Sequence, residues 1–316
     1  MYPSAMSFDH RVRFDGPELG LFYYYQPGEA PEHVHKDEQG FATIEVYGRW
    51  HRQPLTQAQW AMTYFHRFLE HGQPEDRRRF IEATDLLIGG RTTRTLDGQT
   101  CDVWEYGFEY PTYAPHPVPW ISAITQGRAI AVLARAYQMT GGLRYLQCAR
   151  NACAVYDVDV DDGGIRATDE QGSIYYEEYP FPGRCTHVLN GFISSILGAY
   201  DLYRSTGDER AQRLFEQGIS TLCAPGVLQR YDTGYWSAYD QKSRQQGRPT
   251  SLHYHRLHVR QLAVLHRITG REVFLTTYHR WFRYGLSRRN SLRNSMLEVR
   301  YHFSQTPRYW RKLRTG

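Results

Sequence analysis

Cysteine is scarce in this chain and follows no pattern: Cys101, Cys148, Cys153, Cys185 and Cys223 are odd in number and include no CxxC pair. Neither a disulfide framework nor a structural zinc is expected, and a reducing, cytoplasmic setting fits. Long apolar runs are also lacking. The longest, from Val188 to Tyr203, is broken by Asn, Gly, Ser and Asp, and falls short of the roughly 20 residues a membrane span requires. No charged segment followed by an apolar one opens the chain as a leader would. Phosphate-binding loops, dinucleotide fingerprints and the GxSxG elbow are missing, which removes nucleotide-driven, hydride-transfer and serine-hydrolase chemistry.

Aromatic and basic residues are plentiful. The 316 residues include 25 Tyr and 7 Trp, more than core packing alone normally uses, and stacking against sugar faces is one outlet for them. The net charge of +5 is unevenly spread: from Arg280 to Gly316 there are nine Arg and one Lys against a single acid, Glu298. Such a tail, with Tyr301, Phe303, Tyr309 and Trp310 interleaved, suits an acidic polymer, and a solvated helix accounts for it equally well. No recognised nucleic-acid motif accompanies the charge, so nucleic acid is not expected as a partner.

A repeat organises the chain. Turns at His71-Gly72, Thr140-Gly141, Thr206-Gly207 and Thr269-Gly270 lie 69, 66 and 63 residues apart, each between segments of helical periodicity. Four helical hairpins are predicted, with glycine at each C′ position because positive φ costs it nothing there. In the third pair Val188, Phe192, Ile196, Ala199 and Tyr200 form an apolar stripe, answered by Leu214, Ile219 and Leu222. Leu21 to Tyr25 and Phe41 to Tyr47 read as strands, and Val103–Tyr110, Gly163–Tyr175 and Tyr231–Tyr239 as short strands or hairpins. The expected organisation is an N-terminal β-hairpin extension over 1–50, a helical domain over 51–285 and a basic tail over 286–316. Stacked hairpins of this length tend to close into an α/α toroid. Segments that enter the successive helices would then share one rim, where a carbohydrate chain could lie.

Those entering segments carry the chemistry. They are Pro119-Trp120-Ile121-Ser122-Ala123 with Gln126-Gly127-Arg128; Tyr175-Tyr176-Glu177-Glu178-Tyr179-Pro180 running on to Val188-Leu189-Asn190-Gly191; Tyr231-Asp232-Thr233-Gly234; Tyr239-Asp240; and Tyr254-His255-Arg256-Leu257-His258. This ordered set resembles the heparan/heparosan D-glucuronyl C5-epimerase family, well over residues 118–282 and loosely over 54–110. The resemblance implies a mainly α fold, an incomplete α/α toroid of about four hairpins with short β-hairpins. It also implies cofactor-independent conversion of D-glucuronate to L-iduronate in a polysaccharide or oligosaccharide.

The family's catalytic positions fall on Glu178, Tyr179 and Tyr254, and the Tyr-Asp element near its substrate site on Tyr239 and Asp240; Lys242, Arg244, Gln126, Arg128, Asn190, His255 and His258 are further candidates for binding the substrate, Gln126 and Arg128 through sugar hydroxyls or the carboxylate. Where animal members have an Arg shortly after the Tyr-Asp pair this chain has Lys242, a point charge instead of a fork, so Arg244 is the alternative carboxylate partner. Taken alone, Glu178 also fits an exposed loop carboxylate, Tyr179 a hydrophobic plug before Pro180, and Tyr254 a core residue. Gln126 and Arg128 equally fit a helix-end hydrogen bond and a surface ion pair. The removed hydrogen is α to a carboxylate, so acid/base groups on both faces and cations on the carboxylate would be needed. No metal is expected: Asp157, Asp159, Asp161 and Asp162 lack the closing glutamate of a calcium loop, and the histidines at 253, 255 and 258 have poor zinc spacing. A polysaccharide lyase and a non-catalytic glycan-binding protein are the alternatives, and a homodimer is compatible with the sequence.

Overall fold

A computed structural model of the chain describes residues 7–24, 34–110, 112–113 and 115–297. The chain divides into two compact units, Asp9–Leu222 and a second that takes in the chain from Cys223 onward. The fold is mainly helical with three short antiparallel hairpins among the described residues. Most of the basic tail lies outside those residues.

The first unit holds three helical hairpins: α1 (Pro54–His71) with α2 (Pro74–Gly89), α3 (Ala123–Thr140) with α4 (Leu143–Ala154), and α5 (Leu189–Thr206) with α6 (Glu209–Cys223), whose last residue reaches the boundary. The second holds the short α7 (Gln241–Gln245) and one further pair, α8 (Leu252–Thr269) with α9 (Glu272–Leu286). Glycine turns stand where the repeat predicts them: Gly72, Gly141, Gly207 and Gly270 have φ of 67°, 69°, 71° and 65°. Each N–H is donated back to the carbonyl of Phe68, Tyr137, Tyr203 or His266, closing a left-handed C-terminal cap.

Within the first unit α3 packs against α1, α4 and α5. Its residues from Ala123 to Ala136 are nearly all buried, as are those of α5 from Leu189 to Ala199. The single apolar stripe read along α5 is therefore only part of its buried surface. Ser194 and Ser195 can be buried there because each hydroxyl donates to a carbonyl of its own helix, Asn190 and Phe192. The partner helix α6 does show one face, with Ala211, Leu214, Phe215, Ile219 and Leu222 turned inward.

The hairpins follow local turn chemistry. β1 (Thr43–Val46) pairs with β2 (Arg49–Arg52) across Tyr47 and Gly48, both at positive φ, as a two-residue primed turn demands. β3 (Thr92–Leu96) and β4 (Gln99–Val103) are joined in the same way by Asp97-Gly98, and β5 (Arg166–Thr168) pairs with β6 (Ile174–Tyr176). Expected strands shrink elsewhere: Leu21 makes one bridge to Val12, Tyr106 one to Trp120, and Asp232 one to Ser237. Tyr25 lies outside the described residues.

Candidate active site

In the first unit the entrances of α3 and α5 are side by side. A Cβ on Gly127 would lie 2.4 Å from Ser195 Cα, and one on Gly198 would lie 2.0 Å from the Gly127 carbonyl oxygen, so the two backbones touch. Further along, Arg135 Nη1 donates to Asp201 Oδ2 at 2.6 Å with both side chains buried. Contacts 127 to 195 and 135 to 201 run in the same sense, so the two helices begin at the same end. The segment after β6 is tied to that end: Ala123 N donates to the Glu177 carbonyl at 2.9 Å, and Ser122 Oγ to the Glu178 carbonyl at 2.7 Å.

This anchoring sends the two neighbouring carboxylates to different partners. Glu178 is 7% exposed and its side chain lies over the first turn of α5, where Oε2 stands 2.2 Å from the place a Cβ on Gly191 would take. Only glycine leaves that space. The turn has no side-chain cap from Val188, so a carboxylate there faces the positive end of the helix. Asn190 is in the same turn and is buried.

Glu177 is fully buried. Its Oε2 accepts from the backbone N–H groups of Thr186 and His187, and its Oε1 from His187 Nδ1 at 2.5 Å. His187 reaches it from a left-handed backbone, φ 53°, and stacks on Tyr175 at 4.0 Å. Sequence reading singled out Glu178 and missed this pair, because nothing local links residues 177 and 187; the histidine directly before Val188-Leu189-Asn190-Gly191 was its one trace.

Tyr179 is buried in an aromatic group, with Tyr113 at 4.3 Å, Tyr110 at 5.2 Å and Trp120 at 5.8 Å between ring centres. Trp120 in turn stacks on Tyr106 at 4.2 Å. Burial raises the Tyr106 phenol well above its usual range, with Glu178 adding to the effect, so Tyr106 stays protonated.

Gln126 is buried and holds together three backbone groups: Oε1 accepts from Trp104 N at 3.2 Å, and Nε2 donates to the carbonyls of Asp102 and Ala152. Its amide is thereby occupied inside the protein. Arg128 lies two residues further along α3, 8% exposed, with its guanidinium 3.9 Å from the centre of the Phe22 ring and Nη2 donating to Tyr24 OH at 2.8 Å. Tyr24 OH and Ser194 Oγ are hydrogen-bonded at 2.7 Å, and Ser194 Oγ donates to the Asn190 carbonyl at 2.7 Å.

In the second unit Tyr254 is the third residue of α8, half-buried, and its N–H meets the Ser251 hydroxyl that caps the helix. Its ring sits edge-on to Tyr239 at 4.9 Å. Asp240 caps α7 by accepting from Ser243 N, which leaves Lys242 and Arg244 exposed on that turn; Arg244 Nε donates to the Asp232 carbonyl. Asp232 also accepts from Trp281 Nε1 at 3.0 Å and from Gly234 N at 2.8 Å, fixing the segment to α9.

His255 and His258, further along α8, are 1% and 0% exposed and both meet the Ser237 hydroxyl, at 2.9 and 3.0 Å. Ser237 N–H donates to His255 Nδ1, and His255 Nε2 in turn donates to the Trp281 carbonyl at 3.1 Å. Burial drives the two imidazoles down to about 4 and about 3, so both are neutral.

The aspartates at 157 and 159 are engaged by cations. Asp157 meets Arg210 and Arg213, and Asp159 meets Arg166. Among the described residues no cluster of His, Cys, Asp and Glu is arranged to hold a metal ion, and no helix is long and apolar enough to cross a membrane.

Comparison with known proteins agrees with this arrangement of motifs. The profile of the family described as D-glucuronyl C5-epimerase C-terminus matches residues 97–283. An uncharacterized protein of Methanocaldococcus jannaschii is 32% identical over 224 residues, 67% of this chain and 70% of that one. The D-glucuronyl C5-epimerase of Caenorhabditis elegans is 35% identical over 189 residues, which are 55% of this chain and 30% of the nematode protein. The matched profile takes in both carboxylates, the glycine beneath Glu178 and the capped tyrosine of α8, and the chain belongs to the D-glucuronyl C5-epimerase C-terminal family.

Proposed function

We propose that the protein is an isomerase that inverts C5 of D-glucuronate residues in an anionic polysaccharide or oligosaccharide, giving L-iduronate. The observation that carries the reading is the seat of Glu178, a buried carboxylate held over Gly191 at the start of α5. A base at C5 must take a weakly acidic proton, and it does so best when few waters compete for it and its position is fixed.

Tyr254 supplies the second acid/base group of the proposed reaction. It is the third residue of α8, in the first turn that Ser251 caps. Ser237, His255 and His258 form a buried, neutral hydrogen-bonded group and do not themselves touch the sugar. Removal of the C5 proton leaves an enediolate, and return of a proton from the other side completes the inversion with no bond to C4 broken. Tyr179 assists on the Glu178 side, with Asn190 beside it. Tyr239, Lys242 and Arg244 bind the chain, and the basic run after Arg280 attracts it at longer range.

Proton NMR of heparosan incubated with the protein in heavy water tests this. Deuterium at C5 and new iduronate signals without chain shortening are expected. A C4–C5 double bond would establish elimination instead, and no exchange on heparosan or a related uronate polymer would overturn the reading.

A further inference from the structure

The surroundings of Phe22 contain more positive charge than they balance. Arg135 is matched by Asp201, which also accepts from Tyr23 OH at 2.5 Å. His66 is neutral: its Nε2 accepts the Phe22 N–H at 3.0 Å, and burial together with Arg135 and Arg128 keeps it far below its usual value. Arg128 is over nine-tenths buried, and its Nε has no hydrogen-bond partner. Among the described residues no carboxylate pairs with it.

A buried guanidinium without a counter-ion is costly, and a fold can retain one where an anion arrives from outside. We propose that Arg128 and Tyr24 form a seat for a uronate carboxylate of the bound glycan, resting on the epimerase reading for the identity of that anion. The guanidinium lies over the Phe22 ring and is tied to the Tyr24 hydroxyl, so its position is set before the ligand comes. The relay from Tyr24 through Ser194 to the Asn190 carbonyl joins the seat to the first turn of α5, the turn over which the Glu178 side chain lies. An occupied seat is thereby coupled to the catalytic turn through three hydrogen bonds.

The test uses thermal unfolding and binding, with no turnover. Sodium glucuronate should raise the melting temperature of the full chain above that in sodium chloride of equal ionic strength, whereas methyl glucuronate ester should not. In Arg128→Met the carboxylate-specific rise should vanish. A buried arginine matched from within would destabilise the protein when removed; here the ligand-free variant should melt within a few degrees of wild type or above it. Arg128→Lys keeps the charge and should retain part of the rise, and it replaces the Met variant should that one fail to fold. Affinity of a heparosan oligosaccharide for a Tyr254→Phe background should fall about tenfold or more on adding Arg128→Met, the worth of one charge-assisted hydrogen bond. An equal rise in both proteins, or no rise in either, overturns the seat. Carboxylate stabilisation that depends on Arg128, without any oligosaccharide binding, would keep the seat and reject the epimerase reading.

Discussion

The carboxylate of Glu178 occupies the space that a side chain on Gly191 would need: Oε2 lies 2.2 Å and the Glu178 Cβ 2.9 Å from the position of a Cβ there. Gly191→Ala should therefore displace the carboxylate while leaving the helix intact. Alanine is favoured over glycine inside a helix by about 1 kcal/mol, which offsets part of the local clash. Turnover is expected to fall by about 10²-fold or more with only a small change in melting temperature. Adding Gly191→Ala to Glu178→Gln should then cost little further activity, and a full second loss in steady-state rates would separate the glycine from the carboxylate.

On the proposed mechanism, Glu178→Gln and Tyr254→Phe each remove one proton-transfer group with almost no change of shape. General acid/base groups are typically worth about 10² to 10⁴ in rate, so either variant should lose that much while oligosaccharide binding persists. Retention of more than about a third of wild-type activity in either would remove that residue from the mechanism.

The Arg135 and Asp201 pair is predicted to be structural. Both are buried, and removing one leaves the other charge without a partner. Asp201→Ala should cost about 3–5 kcal/mol in denaturant unfolding. A loss below about 1 kcal/mol would show that Tyr23 or solvent takes over the role.

Stability should also record the two neutral histidines. In the folded protein His255 and His258 titrate near 4 and near 3, against 6.5 in the unfolded chain. Below pH 6.5 the unfolded state binds protons that the native state refuses, so unfolding becomes easier as pH falls, until the folded values are reached. Each histidine contributes up to about 1.4 kcal/mol per pH unit across that window. His66, lowered in the same way, adds to the slope. His258→Gln should flatten the dependence between pH 6.5 and about 4 by close to one proton; an unchanged slope would mean that His258 is protonated in the native state.

Local rules made much of this fold legible. Glycine is the residue that takes a left-handed cap without strain, so four turns could be placed from four Gly codes, and their φ angles agree. Strand β2 could not be found in this way, since Arg-Trp-His-Arg has no alternating apolar face and pairs because the Tyr47-Gly48 turn folds it back. The motif order located Glu178 and Tyr254 at helix entrances, a property of sequence neighbours. Partners distant in sequence were out of reach: Glu177 with His187, Arg128 with Tyr24, and Arg135 with Asp201. Burial was equally hidden, because a histidine four residues after Tyr254 looks the same in sequence whether it meets a sugar or, as here, Ser237.

The contact of Gly127 with Ser195 and Gly198 has a dynamic consequence. Backbones this close cannot slide or part without exposing the middle of α3 and α5 together, so their central amides should exchange hydrogen for deuterium only when the whole unit unfolds. The two helix entrances then behave as a single rigid anvil. On the proposed function, any adjustment to glycans of different shape falls to the segments that lead into them.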